Sequence, residues 1–486
     1  MTRPVVTRRA GAQQAGAQQA GTQQAGARDA LRRDIDVVVA GAGGAGLSAA
    51  LAASQAGASV AIVEHRASFR EGCNTAMSTA MIPAGGTRWQ RAMGIDDSPD
   101  QFLDDARRKT HGTLNETVAR ALTNVAPTLV EWLADRHDVP LALVTDFHYP
   151  GHSADRCHTV PDRSGRTLHA HMLSRAIADE RINLIVPARL HSVDPERSAT
   201  LVFPDGATET VTCHSVILAA GGFGADGERV AEHIPDMFGA WHFGSDGNVG
   251  DALRIGEAVG ADTGWLDAYQ GHGSVATPHG VLVTWATVMR GGIIVNNDGE
   301  RFDDETRGYS EYARRVLDQP GASAWMIIDE RIDNACLSFK DHVDLHASGA
   351  IRRADTIGAL ATITGLAAEA LQRTLSQALL VASGAAPDEF GRTSWESALT
   401  PPYAAIRITG ALFHTQGGLL VDANAAVLRS GALLGGLYAA GGSACGMSGR
   451  GADGYLAGNG LLAAFGLGYL AGRAAGASAC ALVVPD

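Results

Sequence analysis

Asp36-Val-Val-Val-Ala-Gly41-Ala-Gly43-Gly44-Ala-Gly46-Leu-Ser48, followed by Val60-Ala-Ile-Val-Glu64, decides how this chain is read. An apolar run meets three spaced glycines, an alanine-rich helical segment follows, and a second apolar run ends on a carboxylate. Gly41 permits a tight turn, Gly43 lets the backbone approach a pyrophosphate, and Gly46 lets helix and strand pack closely. The helix N-terminus stabilises phosphate charge, and Glu64 stands where it accepts from an adenosine ribose hydroxyl. Strand, turn, helix and an acid about twenty residues on are all present, so dinucleotide binding is expected.

Working outward, 486 residues suffice for two domains and a substantial core. Hydrophobic residues make up 45% and charged ones only 19%, the balance of an ordinary globular protein. A net charge of −13 argues against nucleic acid or an anionic membrane as main partner. Six cysteines (Cys73, Cys157, Cys213, Cys336, Cys445, Cys480) lie far apart. Without a Cys-x-x-Cys pair, no iron–sulfur run, c-type haem attachment or other metal centre is expected. Scattered thiols suit a reduced, cytoplasmic protein. The dinucleotide is then the redox centre, and electrons must pass to an external partner.

Residues 1–33 repeat Ala, Gly and Gln from Ala10 to Ala27 and read as a disordered low-complexity tail. Arg8-Arg9 hints at a twin-arginine signal, but no apolar segment follows it. No window reaches the length of a membrane span. Helical periodicity is expected over 100–108, 116–136 and 168–179. Apolar stretches at Leu184–Val193, Thr200–Phe203 and Thr210–Ala219 suggest a small antiparallel piece. Strands are expected around Val281 and Ile293, with helices after Thr356.

Beyond the tail, the chain resembles the FAD-dependent fumarate reductase/succinate dehydrogenase flavoproteins, a group that includes 3-ketosteroid Δ1-dehydrogenases. The resemblance rests on an ordered set of motifs. They are Gly41–Gly46, Ile217-Leu-Ala-Ala-Gly221-Gly222-Phe-Gly224, Gly250-Asp251-Ala-Leu, Asn296-Asn-Asp-Gly-Glu-Arg-Phe302, His414-Thr-Gln-Gly-Gly418 and Gly436-Leu-Tyr-Ala-Ala-Gly441. It implies an α/β fold: a split Rossmann-like FAD-binding domain, 34–270 and 414–480, with an inserted α+β capping domain over 271–413. Asn74, Thr75, Asp251, Gly441, Gly458, Asn459 and Leu461 would join the glycines around FAD. The helix starting near Asn459 would point at the flavin's pyrimidine end, where its amides stabilise the anionic reduced form. The Asn74-Thr75 loop lacks the flavin-linking histidine of membrane-complex relatives, so FAD is expected to be non-covalent. Gly442 replaces a glutamate that relatives often carry as an FAD hydroxyl ligand.

The resemblance also places the chemistry. His272 and His414 fall on the two histidine positions that grip a dicarboxylate in fumarate reductases. Tyr309 replaces the proton-donating arginine and Tyr455 the substrate-clamping one, both as in the ketosteroid enzymes, and Trp285 stands where a relay glutamate would be. A carboxylate needs fixed positive charge, whereas phenols suit a ketone. Tyr455 would donate to a carbonyl oxygen, and Tyr309, as phenolate, would take the α-proton while a hydride leaves the β-carbon. Arg307, two residues earlier, is expected to lower the Tyr309 pKa. Tyr149 is a candidate third phenol. Arg156 and His158 resemble an Arg-x-His element beside the substrate in fumarate reductases. The leading reading is an FAD-dependent CH–CH oxidoreductase acting next to a carbonyl. Alternatives are a soluble reductase of an unsaturated carboxylate, an electron-relay flavoprotein subunit and a flavin oxidase.

Overall fold

The computed structural model describes residues 34–194 and 198–481, so the expectation for the 1–33 tail lies outside the described residues. The first strand (Val37–Ala40), the second (Val60–Val63) and the strand Ser215–Leu218 are buried at every position. Continuous Val/Ile runs of this kind belong to a parallel sheet covered on both faces. They form the centre of a six-stranded sheet with Ile182–Ile185 on one edge and the hairpin Ala426–Arg429/Ala432–Ala439 on the other. All its pairings are parallel except that hairpin.

The helix Gly44–Gln55 leaves the glycine turn and packs along the C-terminal helix Asn459–Ala481. Ala45, Ala49 and Ala53 of the first face Gly468, Gly472 and Gly476 of the second, so two small-residue stripes bring the backbones together. That contact lays the start of the C-terminal helix beside the glycine turn, although the two are some 400 residues apart in sequence.

The predicted antiparallel piece is present but shorter. Leu184–Ile185 belongs to the parallel sheet, and Arg189–Asp194, Ser198–Val202 and Thr208–Thr212 make a separate three-stranded sheet. The expected helices appear as Pro99–Lys109, Glu116–His137 and Gly165–Ala178.

A seven-stranded sheet forms the cap. The long strand Tyr403–Thr415 pairs antiparallel with both Tyr269–Ala276 and Ala324–Asp329. Ala324, Met326 and Ile328 point into one core, and Trp325 and Ile327 into another. This is the two-residue alternation of a strand buried on both faces. Helices that sequence periodicity did not suggest precede Thr356, among them Tyr309–Leu317, Glu330–Cys336 and Lys340–Ser348.

Glu305, fully buried, binds Arg301 at 2.8 Å and Arg392 at 3.2 Å, and Arg301 also binds Asp388 at 2.6 Å. The Glu-Arg-Phe motif therefore braces the cap. Removing one partner of a buried ion network leaves uncompensated charge. Glu305→Leu is expected to cost the cap about 3–5 kcal/mol, read as an earlier urea transition in tryptophan fluorescence.

Candidate active site

A cavity is lined by residues of both the six-stranded and the seven-stranded sheet. Its walls include Gly41, Gly43, Gly44, Glu64, Asn74, Thr75, Gly221, Gly222, Asp251, Gly441, Gly458 and Leu461. Twelve of the fourteen residues expected around a dinucleotide thus line one space, the exceptions being Gly46 and Asn459. Glu64 accepts from the backbone N–H groups of Ala42 (2.9 Å) and Arg66 (2.8 Å). Burial works to raise its pKa, but these donors and His65 outweigh that and hold it below the usual carboxylate value. It is ionised at neutral pH, as a ribose acceptor should be. A Cβ built on Gly43 meets nothing closer than Thr75 Oγ1 at 3.9 Å, so the turn backbone is open to a bound pyrophosphate. These residues fit FAD.

Gly46 shapes the cradle without lining it. A Cβ there would stand 1.8 Å from the Gly41 carbonyl oxygen, so helix and turn touch only because the side chain is missing. Asn459 is fully buried, and its side-chain amide has no hydrogen-bond partner. Its neighbours Gly458, Gly460 and Leu461 face the cavity instead, which corrects the expectation of a direct Asn459 contact. Gly442 has no room for the glutamate of relatives, because a Cβ would lie 2.7 Å from the Gly222 nitrogen.

At the other end of the cavity, His272, Tyr309, His414, Tyr455, Trp285 and Tyr149 converge. The strand that carries His272 is Tyr269-Gln-Gly-His-Gly, and its glycines allow this convergence. A Cβ on Gly271 would meet Ala313 Cβ at 2.7 Å, and one on Gly273 the Tyr312 backbone at 3.0 Å. Bare backbone lets the helix Tyr309–Leu317 lie directly on the strand, so its first residue stacks on His272 with ring centroids 4.8 Å apart. Phe413 covers the other face of His272 at 5.1 Å.

Both histidines are neutral. Burial pushes His272 down to about 3 and His414 to about 4. His414 Nδ1 lies 3.0 Å from Gln416 Nε2 and 3.3 Å from the Thr415 carbonyl oxygen, and its Nε2 edge packs against Gly460. The Ser274 N–H donates to His272 Nδ1 at 3.3 Å, and the Ser274 hydroxyl lies 3.2 Å from the same nitrogen.

The Tyr455 and Tyr309 rings meet edge to face with centroids 6.0 Å apart, and Tyr309 and the backbone N–H groups of Gly460 and Gly458 act on the Tyr455 oxygen to lower its pKa. Burial pushes its pKa up to about 12 despite these donors. Tyr309 is raised well above the usual phenol value, by burial first and then by Tyr455 and Tyr149. Tyr309 is therefore held as a protonated phenol, against the lowered pKa expected from Arg307.

Arg307 does not produce the expected effect. Its side chain is more than half exposed outside the cavity, 3.7 Å from Asp303, and the glycine at 308 turns the chain between it and Tyr309. Nor is Arg156 free to hold an anion. It is fully buried and bound to Asp97 and Asp105, while His158 meets Thr87 Oγ1 at 3.0 Å, and neither lines the cavity.

The sequence reading missed Gln416, Phe413, Asp341 and the Arg189 that binds Asp251 at 2.7 Å. Only Gln416 carried a signal, lying inside the His414-Thr-Gln motif. In the cap, Asp333 Oδ1 accepts from His342 and His346, each at 2.8 Å, and its other oxygen binds Arg353. These donor atoms lie within 4.8 Å of one another, but the carboxylate is already charge-balanced by the arginine. Among the described residues, no helix is long and apolar enough to cross a membrane.

The cradle and the end lined by phenols and imidazoles suit a flavin-dependent oxidoreductase. The FAD binding domain family (FAD_binding_2) matches residues 36–461, and the chain belongs to it. A fumarate reductase (cytochrome) of Shewanella frigidimarina is 28% identical over 456 residues, covering 91% of this chain and 77% of its own length. The open conformation of a flavocytochrome c3 fumarate reductase superposes with a TM-score of 0.76 at 25% identity, over 92% of this chain and 79% of that one. A 3-ketosteroid-Δ4-(5α)-dehydrogenase from Rhodococcus jostii superposes with a TM-score of 0.72 at 25% identity, over 92% and 97%. The protein is an FAD-dependent oxidoreductase of the family that includes fumarate reductases and ketosteroid dehydrogenases.

Proposed function

We propose that the protein reduces a carbon–carbon double bond conjugated to a ketone, with dehydrogenation as the reverse reaction. One observation carries this reading: the Tyr309–Tyr455 phenol pair closes an end of the cavity where, among the described residues, no arginine or lysine stands. The arginines that line the cavity, Arg66 and Arg189, sit beside Glu64 and Asp251. FAD, when bound, supplies the hydride delivered to the β-carbon.

Tyr455 is the better oriented donor for a carbonyl oxygen, because Gly458 and Gly460 fix its own oxygen. As charge develops on that oxygen, the Tyr455 O–H stabilises it. Tyr309 then gives its proton to the α-carbon. An enolate carbon is a far stronger base than a phenolate, so a phenol with a raised pKa still suffices as donor. The reverse direction first requires that buried phenol to lose its proton, which favours reduction. His272 and Phe413 hold the Tyr309 ring in place and exclude water from it.

On this reading, residues 34–270 and 414–480 carry a non-covalent FAD and 271–413 cap the substrate, with reducing equivalents drawn from an external donor. The fumarate reductase relatives support a second reading, reduction of an unsaturated carboxylate. Incubating the reduced holoenzyme with cyclic enones in D₂O separates the two. The saturated ketone bearing deuterium at the α-carbon is expected. Unchanged enone, with fumarate converted to succinate, would overturn the ketone reading.

A further inference from the structure

The cap places in this cavity a carboxylate, in the first turn of a helix, that no side chain among the described residues pairs with. Asp341 is the second residue of the helix Lys340–Ser348, which packs against the strand Val281–Leu282. It lines the cavity with Phe339, Phe147, Tyr149 and Leu282, a wall that is otherwise apolar or phenolic. Among the described residues, no hydrogen bond or ion pair engages its side chain. Lys340, its neighbour in sequence, is bound to Asp344 at 2.5 Å. Arg163, whose guanidinium lies 5.1 Å from the Phe339 ring, is bound to Asp146. The catalytic end beyond this wall is neutral, with His272 and His414 uncharged and Tyr309 and Tyr455 protonated.

Asp341 is only partly exposed, and desolvation first, then Asp344, raise its pKa to about 6 although Lys340 works the other way. A buried acceptor left without a donor is destabilising, and a ligand that supplies the donor recovers that loss on binding. A ligand that brings a second negative charge adds repulsion in a poorly solvated space.

Taking the ketone-reduction reading as its basis, we propose that Asp341 determines substrate specificity. It accepts a hydrogen bond from a hydroxyl or ammonium group at the substrate end remote from the carbonyl. It also excludes substrates that carry a carboxylate there.

The test uses holoenzyme and a set of cyclic enones of one framework, with methyl, hydroxyl, ammonium or carboxylate at the remote end. Dissociation constants come from perturbation of the bound oxidised flavin's absorbance, which needs no turnover. Wild type should bind the hydroxyl and ammonium compounds about 10- to 100-fold tighter than the methyl compound, and the carboxylate weakest. Asp341→Asn should abolish the ammonium preference, keep much of the hydroxyl preference and tighten the carboxylate. Asp341→Leu should remove both preferences, with flavin content unchanged in each variant. An unchanged ranking in both variants would overturn the role of Asp341 while leaving the ketone reading intact. Perturbation by fumarate with none from any enone would remove the ketone reading and this assignment with it.

Discussion

Tyr309→Phe should lower the rate of enone reduction about 10²- to 10⁴-fold, the range that loss of a positioned proton donor costs. Flavin content and enone affinity should change little. Phenylalanine keeps the ring that stacks between His272 and the cavity, 4.8 Å from the imidazole, and removes only the hydroxyl. The deficit should therefore fall on kcat rather than KM. Rapid mixing of reduced enzyme with enone reads it directly, as slow return of oxidised flavin absorbance. Because burial holds the Tyr309 pKa well above that of a free phenol, wild-type turnover should show no alkaline limb from this group below about pH 9. A variant within about threefold of wild type would mean that the proton comes from another group, with Tyr455 next in line.

Gly41→Ala should abolish stable FAD binding. Two independent costs meet at this position. The residue adopts φ of +109°, which side chains rarely do, and a Cβ would stand 2.3 Å from the Ala219 carbonyl oxygen. That carbonyl belongs to the second glycine turn, so the collision pushes apart two backbones that both face the cofactor. A strained backbone of this kind costs about 1–3 kcal/mol before the clash is counted. The purified variant is expected colourless, with a lowered thermal midpoint that added FAD does not restore. Retention of a full complement of flavin would show that the cradle tolerates a displaced turn.

The cofactor cradle was legible because its requirements are local. Gly41, Gly43 and Gly46 serve a turn, an approach and a packing contact within six residues, and Glu64 closes the unit one strand later. The catalytic end was legible only through motif order. Nothing local to Tyr309 says that it meets His272. The contact depends on Gly271 and Gly273, and glycines weaken a strand pattern on the page while permitting the close helix in space.

The same cause hid the long strand Tyr403–Thr415, whose Gly410 sits against Ala313 of the Tyr309 helix. Arg307 misled because nearness in sequence was taken for nearness of charge, whereas the helix starts between the two residues and sends the arginine to solvent. Arg156 misled differently. Its charge is spent on Asp97 and Asp105, partners more than fifty residues away. Asp341 gave no signal, since a cavity wall assembled from separate elements has no sequence pattern.

The most direct single measurement is an anaerobic titration of the reduced holoenzyme with a cyclic enone and, in parallel, with fumarate. Flavin absorbance should return with the enone and stay bleached with fumarate. Return with fumarate alone would contradict the ketone chemistry assigned to Tyr309 and Tyr455.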